Sequence, residues 1–181
     1  MSTRTLRGIA IFGALLATFG EMHPFCDLFV QSSKDATTKG RPGWQGRRAC
    51  AHHVATYTAT QYAAAEAVTR ALGAPVPIGP MLAGQALTAI SHYMIDRRTL
   101  FTKVIRSRLV GKTEFLDYAH VLRPGANPGV RDVHGHPVYL NDAGGPGTAY
   151  MELDQAAHRF LGVASALITA WLAVRSDRTR P

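Results

Sequence analysis

Histidine and aspartate recur four residues apart on segments that otherwise look like apolar helices. His92 and Asp96 form one such pair, and Asp154 and His158 form another just before the apolar run 160–163. Residues four apart project within about 40° of each other on an α-helix, so each pair can bind one ion or join one network. Burying an unpaired carboxylate is very costly, so these side chains must find one another, find a cation or face solvent.

Four long segments predict an all-α fold, a bundle of about four main helices. Alanine, the strongest helix former, is frequent throughout them. Pro24 predicts either a kink or a fresh helix start within the first segment, and Gly73-Ala-Pro75 ends the second. The predicted helices run from about Thr5 to Ser33, Arg47 to Leu72, Pro80 to Val110 and Thr148 to Val174.

Residues 111–147 predict an irregular Gly- and Pro-rich insertion between the third and fourth helices. The stretch is long for a loop without structure, and Val130–Asn141 favours a short β-hairpin around His134 and His136, which we interpret as turn residues. A length of 181 residues fits a single helical domain over 1–181, with a basic tail over 175–181.

The chain is basic, with 20 Lys and Arg against 12 Asp and Glu and a net charge of +8. This balance favours either an anionic partner, such as a small molecule or a lipid surface, or simply a solvated basic surface. Nucleic acid is the disfavoured partner, because there is no zinc-finger spacing and no glycine-rich phosphate loop.

The N-terminal segment resembles a signal peptide, because Arg4 and Arg7 precede the apolar stretch Gly8–Gly20. No clear cleavage site follows, and His23 and Asp27 come next, so we interpret the segment as part of the mature fold. Gly8–Gly20 is too short to span a membrane alone. These features leave a membrane-associated and a cytoplasmic location open.

We predict that the four helices combine their histidines and aspartates into one metal site. A single His-Asp pair is usually a hydrogen-bonded core or surface pair, but three pairs and a double histidine in one small chain are harder to explain in that way. Imidazole nitrogen with carboxylate oxygen suits zinc, manganese, iron or magnesium. The predicted ligands are His23, Asp27, His53, His92, Asp96, Asp154 and His158, with Asp27, Asp96 and Asp154 also as catalytic carboxylates.

Other polar residues are predicted to assist. The residues predicted to orient the ligands through hydrogen bonds are Gln31, Gln155 and His52. His52 could exchange roles with its neighbour His53, since both cannot face the same way. Lys34, Lys39, Arg97 and Arg98 would bind a substrate phosphate. An alternative is a closed zinc site made by His23-x-x-Cys26 and Cys50-x-x-His53, which would leave the remaining histidines and aspartates unexplained.

These motifs resemble an uncharacterised family of bacterial and phage proteins, domain of unknown function 3307. The resemblance covers most of the chain and implies a small, multi-helix, membrane-associated protein, without implying a reaction. The sequence departs from the family where Leu28 replaces Phe, where Pro24 interrupts the first block and where the helices are more polar and Ala-rich. The matching blocks are His23-Pro-Phe-Cys-Asp27-Leu-Phe-Val-Gln31, Lys34 or Lys39, His53-Val54, Ser91-His92-Tyr-Met-Ile-Asp96 and Asp154-Gln155-Ala-Ala-His158.

The activity that we predict is metal-dependent hydrolysis, with a phosphate ester as the substrate, because a bound metal activates water and stabilises developing negative charge. The alternative is a non-catalytic membrane-associated protein in which the same side chains form a buried packing network. A serine or cysteine hydrolase is disfavoured. The chain has no Gly-x-Ser-x-Gly motif, and Cys26 lies one residue off the face that carries His23 and Asp27.

Overall fold

The computed structural model describes the backbone of residues 1–118, 121–124, 139–142 and 148–176, and the side chains of 1–116 and 148–176. Within these residues the predicted all-α class is confirmed, since helices make up every element except two four-residue strands. The elements are α1 (Thr3–Phe25), a π-helix (Cys26–Val30), α2 (Ser33–Thr38), α3 (Gly43–Ala71), α4 (Ile78–Asp96), α5 (Thr99–Ile105), α6 (Thr113–Tyr118), β1 (Val121–Pro124), β2 (Tyr139–Asp142) and α7 (Ala149–Ser176).

The chain divides into two compact units, and the prediction of one domain over 1–181 stays a prediction. The first unit comprises Met1–Phe101 with Ala157–Pro181, and the second comprises Thr102–Ala156, which contains the predicted insertion. In the second unit β1 pairs antiparallel with β2. The predicted hairpin over 130–141, with His134 and His136, falls largely on residues 125–138, outside the described residues, as does the tail from 177 onwards.

The first unit is built from the long helices α1, α3 and α4 and the C-terminal part of α7. Ile11 and Leu15 of α1 are fully buried against Ala65 of α3, Met81 of α4 and small residues of α7. Alanine occupies positions 166, 170 and 173, which lie on one face of α7. Because these side chains are small, the helices pack closely.

Helices α4 and α7 approach each other closely at Gly84. A Cβ atom on this residue would overlap Thr169 Oγ1 and would lie 3.1 Å from the backbone oxygen of Ser165. One turn further along α4, Thr88 Oγ1 donates to Ser165 Oγ at 3.0 Å. This contact fixes the register in which His92 of α4 meets α7.

The third predicted helix ends much earlier than expected. The prediction of one helix to Val110 is wrong, because α4 stops at Asp96 and Arg98 adopts a positive φ of 59° before α5 begins. The Arg97 side chain explains the break: its Nη1 donates to the backbone oxygens of Lys39 at 2.5 Å and Arg41 at 2.8 Å. The end of α4 is thereby tied to the loop after α2.

The first predicted helix changes type near its end. Pro24 lies inside α1, where it has no N–H to donate to the preceding turn. The helix then widens into the π-helix, closed by a bond from Gln31 N to Cys26 O at 2.9 Å. Asp27 therefore sits in a π-helix, an element that is rare and often found at functional sites.

Two stretches, Thr3–Val30 and Ala149–Ser176, are long and apolar enough to cross a membrane by length and composition, a test that buried core helices also pass. Several large apolar side chains on their surfaces are exposed, among them Ile9, Phe160 and Trp171. The predicted membrane association stays a prediction.

Candidate metal centre

Four of the predicted ligands converge on one point inside the first unit. His53 Nε2 of α3 lies 2.9 Å from His92 Nε2 of α4, and 3.3 Å from both Asp27 Oδ1 and Asp96 Oδ2. His92 Nε2 is in turn 3.2 Å from Asp96 Oδ2 and 3.7 Å from Asp27 Oδ1. Three separate chain segments thus contribute nitrogen or oxygen donors to a single cluster.

Two further predicted ligands, His23 and His158, border this cluster. His23 Nε2 lies 3.6 Å from Asp27 Oδ2. The His158 ring stacks on His23, with 4.8 Å between centroids, and lies 4.3 Å from the ring of His92. All four imidazoles are buried, and Asp27 is the more exposed of the two aspartates, at 16% of its side chain.

The cluster is compact enough to hold a metal ion. Donor atoms of Asp27, His53 and His92 lie within 4.8 Å of one another, and so do those of His92, Asp96 and His158. His92 belongs to both groups. A set of imidazole nitrogens and carboxylate oxygens is one that divalent transition metals accept.

The electrostatics of the cluster keep its carboxylates ionised. Burial by itself raises the pKa of Asp27, but the bond to His53 and the nearby positive groups outweigh burial and lower this pKa from 3.8 to about 2. Burial also opposes ionisation of Asp96, yet bonds to His53 and His92 hold its pKa well below the usual range. Both aspartates are therefore available as anionic ligands at neutral pH.

The two central histidines have opposite tendencies to bind a proton. Burial lowers the pKa of His53, but bonds to Asp27 and Asp96 outweigh burial and raise it. Burial dominates for His92, whose pKa is lowered although Asp96 opposes the shift. The shifts thus favour a proton on His53 over one on His92, and the Nε2 atoms of the two rings lie 2.9 Å apart.

Gln31, predicted to support the ligands, lies beside His53 and Lys39. With its amide oxygen turned towards His53, Gln31 accepts from His53 Nδ1 at 3.2 Å and from Lys39 Nζ at 3.0 Å, and its nitrogen donates to the Asp27 backbone oxygen at 3.2 Å. The hydrogen bond at Nδ1 of His53 orients the ring so that Nε2 points towards the aspartates. In metal sites, a hydrogen bond to the histidine nitrogen that does not bind the metal commonly has this effect.

Tyr57 is a member of the site that the sequence analysis missed. Its hydroxyl group lies 3.1 Å from His23 Nδ1 and accepts from Gln61 Nε2 at 3.2 Å. Burial, and secondarily the charge of Asp27, raise the pKa of Tyr57, so the hydroxyl group stays protonated. Tyr57 and Gln61 follow His53 at four-residue intervals on α3, a spacing that could have revealed them.

Two of the four predicted phosphate-binding residues, Lys39 and Arg97, make other contacts. Lys39 Nζ pairs with Asp96 Oδ2 at 2.9 Å, with both side chains largely buried, so Lys39 is a partner of a ligand rather than a free phosphate contact. Arg97 bonds to backbone oxygens, as described above. Lys34 lines a separate surface concavity, and Arg98 is exposed beside Gly40.

His52 is not brought to the cluster, which corrects its predicted role. Its side chain is 64% exposed, and its Nδ1 lies 2.7 Å from Asp35 Oδ2. Asp35 also accepts from Ser32 Oγ at 2.7 Å. Adjacent helical residues point about 100° apart, so only His53 of this pair can face the core.

Asp154 and Gln155 belong to the second unit, whereas His158 belongs to the first. Asp154 is buried and lies one turn before His158 on α7, and Gln155 Nε2 donates to Asp154 Oδ2 at 3.4 Å. Their predicted roles as ligand and supporting residue stay predictions.

The two cysteines do not build the alternative zinc site. Cys26 Sγ lies 3.9 Å from the backbone oxygen of Tyr57, and Cys50 Sγ lies 3.8 Å from that of Tyr93. Burial, reinforced by nearby aspartate charge, raises the pKa of Cys26 to about 11 and that of Cys50 to about 12. Both are free thiols, and among the described residues neither belongs to a group of donor atoms close enough together to hold a metal ion.

The fold and the cluster define a mainly α-helical protein with buried His and Asp side chains that could hold a metal ion. No family model matches the chain, and neither does any curated protein or solved structure. The resemblance to domain of unknown function 3307 stays a prediction.

Proposed function

We propose that this protein is a metal-dependent hydrolase that acts on phosphate esters. The observation that carries the proposal is the convergence of Asp27, His53, His92 and Asp96 on one buried point. Buried ionisable groups in such numbers are costly unless they serve one another or a cation, and they commonly mark functional sites.

The donor set favours zinc, iron or manganese over magnesium, because imidazole suits the first three while magnesium prefers oxygen. His53, His92, Asp27 and Asp96 would hold the ion. When bound, the metal supplies an activated water and stabilises negative charge on the phosphoryl group. Because histidine binds a metal in its neutral form, metal binding is expected to compete with protons at His53, whose pKa is raised.

The protein's own residues prepare the site for that ion. Gln31 fixes the orientation of His53, and Lys39 balances the charge of Asp96. The Tyr57 hydroxyl group holds His23 Nδ1, which leaves Nε2 of His23 facing Asp27. We assign to His23 the transfer of a proton at Nε2, a role for which imidazole is well suited near neutral pH.

Two adjacent histidines provide a matched test. Untagged protein is analysed for bound metal and for hydrolysis of p-nitrophenyl phosphate and bis-p-nitrophenyl phosphate. His53→Gln should reduce metal affinity by more than about tenfold. Mutating a residue that only hydrogen-bonds to a metal ligand already lowers affinity about 10–100-fold, and loss of a ligand itself should cost more. The control, His52→Gln, alters the exposed neighbour that bonds to Asp35 and should leave metal content and activity unchanged.

The proposal fails if untagged protein binds no stoichiometric metal and melts at the same temperature with and without a chelator. It also fails if His53→Gln and His52→Gln behave alike.

A second function is favoured by one observation, the ion pair between Lys39 and Asp96. In this alternative the cluster is a packing network in a non-catalytic, membrane-associated protein, and its charges neutralise one another without an ion. Asp96 pairs with Lys39, and His53, whose pKa is raised, lies 3.3 Å from both aspartates, so positive partners are available within the cluster.

Lys39→Met distinguishes the two functions. Both predict that the metal-free variant is destabilised, by about 3–5 kcal/mol, because a buried carboxylate loses its partner. Only the metalloprotein should regain its melting temperature when zinc or manganese is added, since the ion supplies the missing positive charge. A variant that metal does not rescue would favour the packing network.

A further inference from the structure

A groove leads from the surface of the first unit to the metal centre. It has a volume of about 280 Å³, and His23, His92 and His158 form its polar end. Its walls are largely apolar, with Leu16 and Phe19 from α1 and Leu161 and Val163 from α7. The groove therefore joins an apolar channel to a cluster of imidazoles.

Glycine keeps this groove open on both sides. Gly20 of α1 has no heavy atom within 4 Å of the position that a Cβ would occupy, and at Gly162 of α7 only Phe19 Cβ comes that close, at 3.9 Å. Gly20 precedes His23 by three residues and Gly162 follows His158 by four, so each glycine lies about one turn from a histidine of the polar end. Larger side chains at these positions would narrow the approach to the histidines.

The polar end of the groove offers an unsatisfied group. Among the described residues, the buried Nδ1 of His92 has no hydrogen-bond partner. Arg159 and Glu21 both lie in the lining of the same groove, so the attraction for an anionic head would come from the histidines and the ion that they would hold, and not from the charge of the lining. A ligand for the proposed reaction therefore combines an anionic, hydrogen-bonding head with an apolar body.

We propose that the substrate is an amphiphile, a phosphate ester whose head reaches the histidines while its alkyl chain lies between α1 and α7. The phosphate ester chemistry in this inference rests on the proposed function, and the position of the alkyl chain rests on the groove. Two apolar side chains that line the groove are exposed, Leu16 at 36% and Val163 at 40%. Such a surface suits the transfer of an alkyl chain from an apolar environment.

The chain-length dependence of binding tests the inference. Calorimetry compares inorganic phosphate with butyl, hexyl and octyl phosphate, each below its micelle-forming concentration. Each added methylene that enters the groove should tighten binding by up to roughly fourfold, until the groove is full. An equal affinity for all four compounds would overturn the inference.

Two glycines of α1 provide the matched variants. Gly20→Leu fills the groove and should weaken octyl phosphate binding by roughly tenfold or more, as expected when two or more methylenes lose their contacts. The control is Gly13→Leu, at an exposed residue that does not line the groove. Among the described residues, no heavy atom lies within 4 Å of a Cβ built at Gly13, so this variant should bind octyl phosphate as the unmodified protein does. Equal effects of the two variants would contradict the assignment.

Metal analysis of the same samples separates this inference from the proposed function. If the protein binds metal but its affinity does not change with chain length, the amphiphile proposal is wrong and the hydrolase proposal stands. A rising series without bound metal overturns the hydrolase and supports the groove as an amphiphile site.

Sedimentation with phosphatidylcholine vesicles that contain phosphatidic acid identifies the source of the amphiphile. Binding that Gly20→Leu abolishes and Gly13→Leu preserves indicates a bilayer lipid. Binding of monomeric octyl phosphate alone indicates a soluble amphiphile.

Discussion

His53 and His92 show how the surroundings of a histidine determine the direction in which its pKa shifts. Both are buried imidazoles that contact the same aspartates, yet the pKa of His53 is raised and that of His92 is lowered. His53 contacts two carboxylates at similar distances, whereas burial dominates at His92. The pair can therefore share one proton, which a metal ion would displace.

The depressed carboxylate pKa values predict an acid-sensitive fold for the metal-free protein. Because the pKa of Asp27 is about 2 in the folded state and 3.8 as an ordinary carboxyl group, its contribution is complete above pH 3.8 and is lost as the pH falls through 2. The loss from Asp27 should amount to about 2 kcal/mol, from roughly 1.4 kcal/mol per pKa unit. Chemical denaturation at a series of pH values measures it.

Asp27→Asn provides the check on this assignment. The variant should show a shallower loss of stability over the same pH range, with the residual slope due to Asp96 and Asp35, whose pKa values are also lowered. An unchanged pH dependence would show that Asp27 is not ionised in the folded cluster.

The sequence predicted the candidate ligands better than it predicted the residues that contact them. Four-residue spacing was enough to nominate His92 with Asp96 and His23 with Asp27, because helix geometry alone puts each pair on one face. The same rule leaves His52 and His53 equivalent until the buried face of α3 is known. The pairing of Lys39 with Asp96 depends on a tertiary contact, and no local pattern encodes it.

At the scale of elements, the site depends on two irregularities of helix geometry. The π-helix at Cys26–Val30 presents Asp27 and leads directly to Gln31, and the break after Asp96 lets Arg97 anchor the loop that carries Lys39. Periodicity predicts helices but not a change of helix type, because hydrogen bonds to distant backbone atoms decide where α4 stops. The first helix was therefore predicted in outline, and the end of the third was not.

The close approach of α4 and α7 predicts a position-specific effect of alanine. Gly84→Ala should destabilise the protein by about 1–3 kcal/mol, the usual cost of overpacking, because its Cβ would overlap Thr169 Oγ1. The control on the same helix is Gly79→Ala, where a Cβ meets no atom within 4 Å and better helix propensity should add up to about 1 kcal/mol. Urea denaturation measures both, and equal changes would contradict the packing described for α4.

At the scale of the whole molecule, one compact unit contains the cluster and the groove that leads to it. His23, Asp27, His53, His92, Asp96 and His158 all belong to the unit that joins Met1–Phe101 to Ala157–Pro181. The N-terminal helices alone would lack His158 and one wall of the groove, so the part of α7 from Ala157 onwards completes the site. Composition and periodicity predicted the all-α class, but they could not predict that α7 contributes to two units.

The most direct measurement of the central claim is X-ray absorption spectroscopy of the untagged protein loaded with one equivalent of zinc. We predict a nitrogen and oxygen shell at about 2.0–2.1 Å with imidazole scattering beyond it, and no sulfur shell near about 2.3 Å. The imidazole signal should fall in His53→Gln and persist in His52→Gln. A sulfur shell, or imidazole scattering that His53→Gln leaves unchanged, would show that the buried histidines and aspartates do not bind the metal.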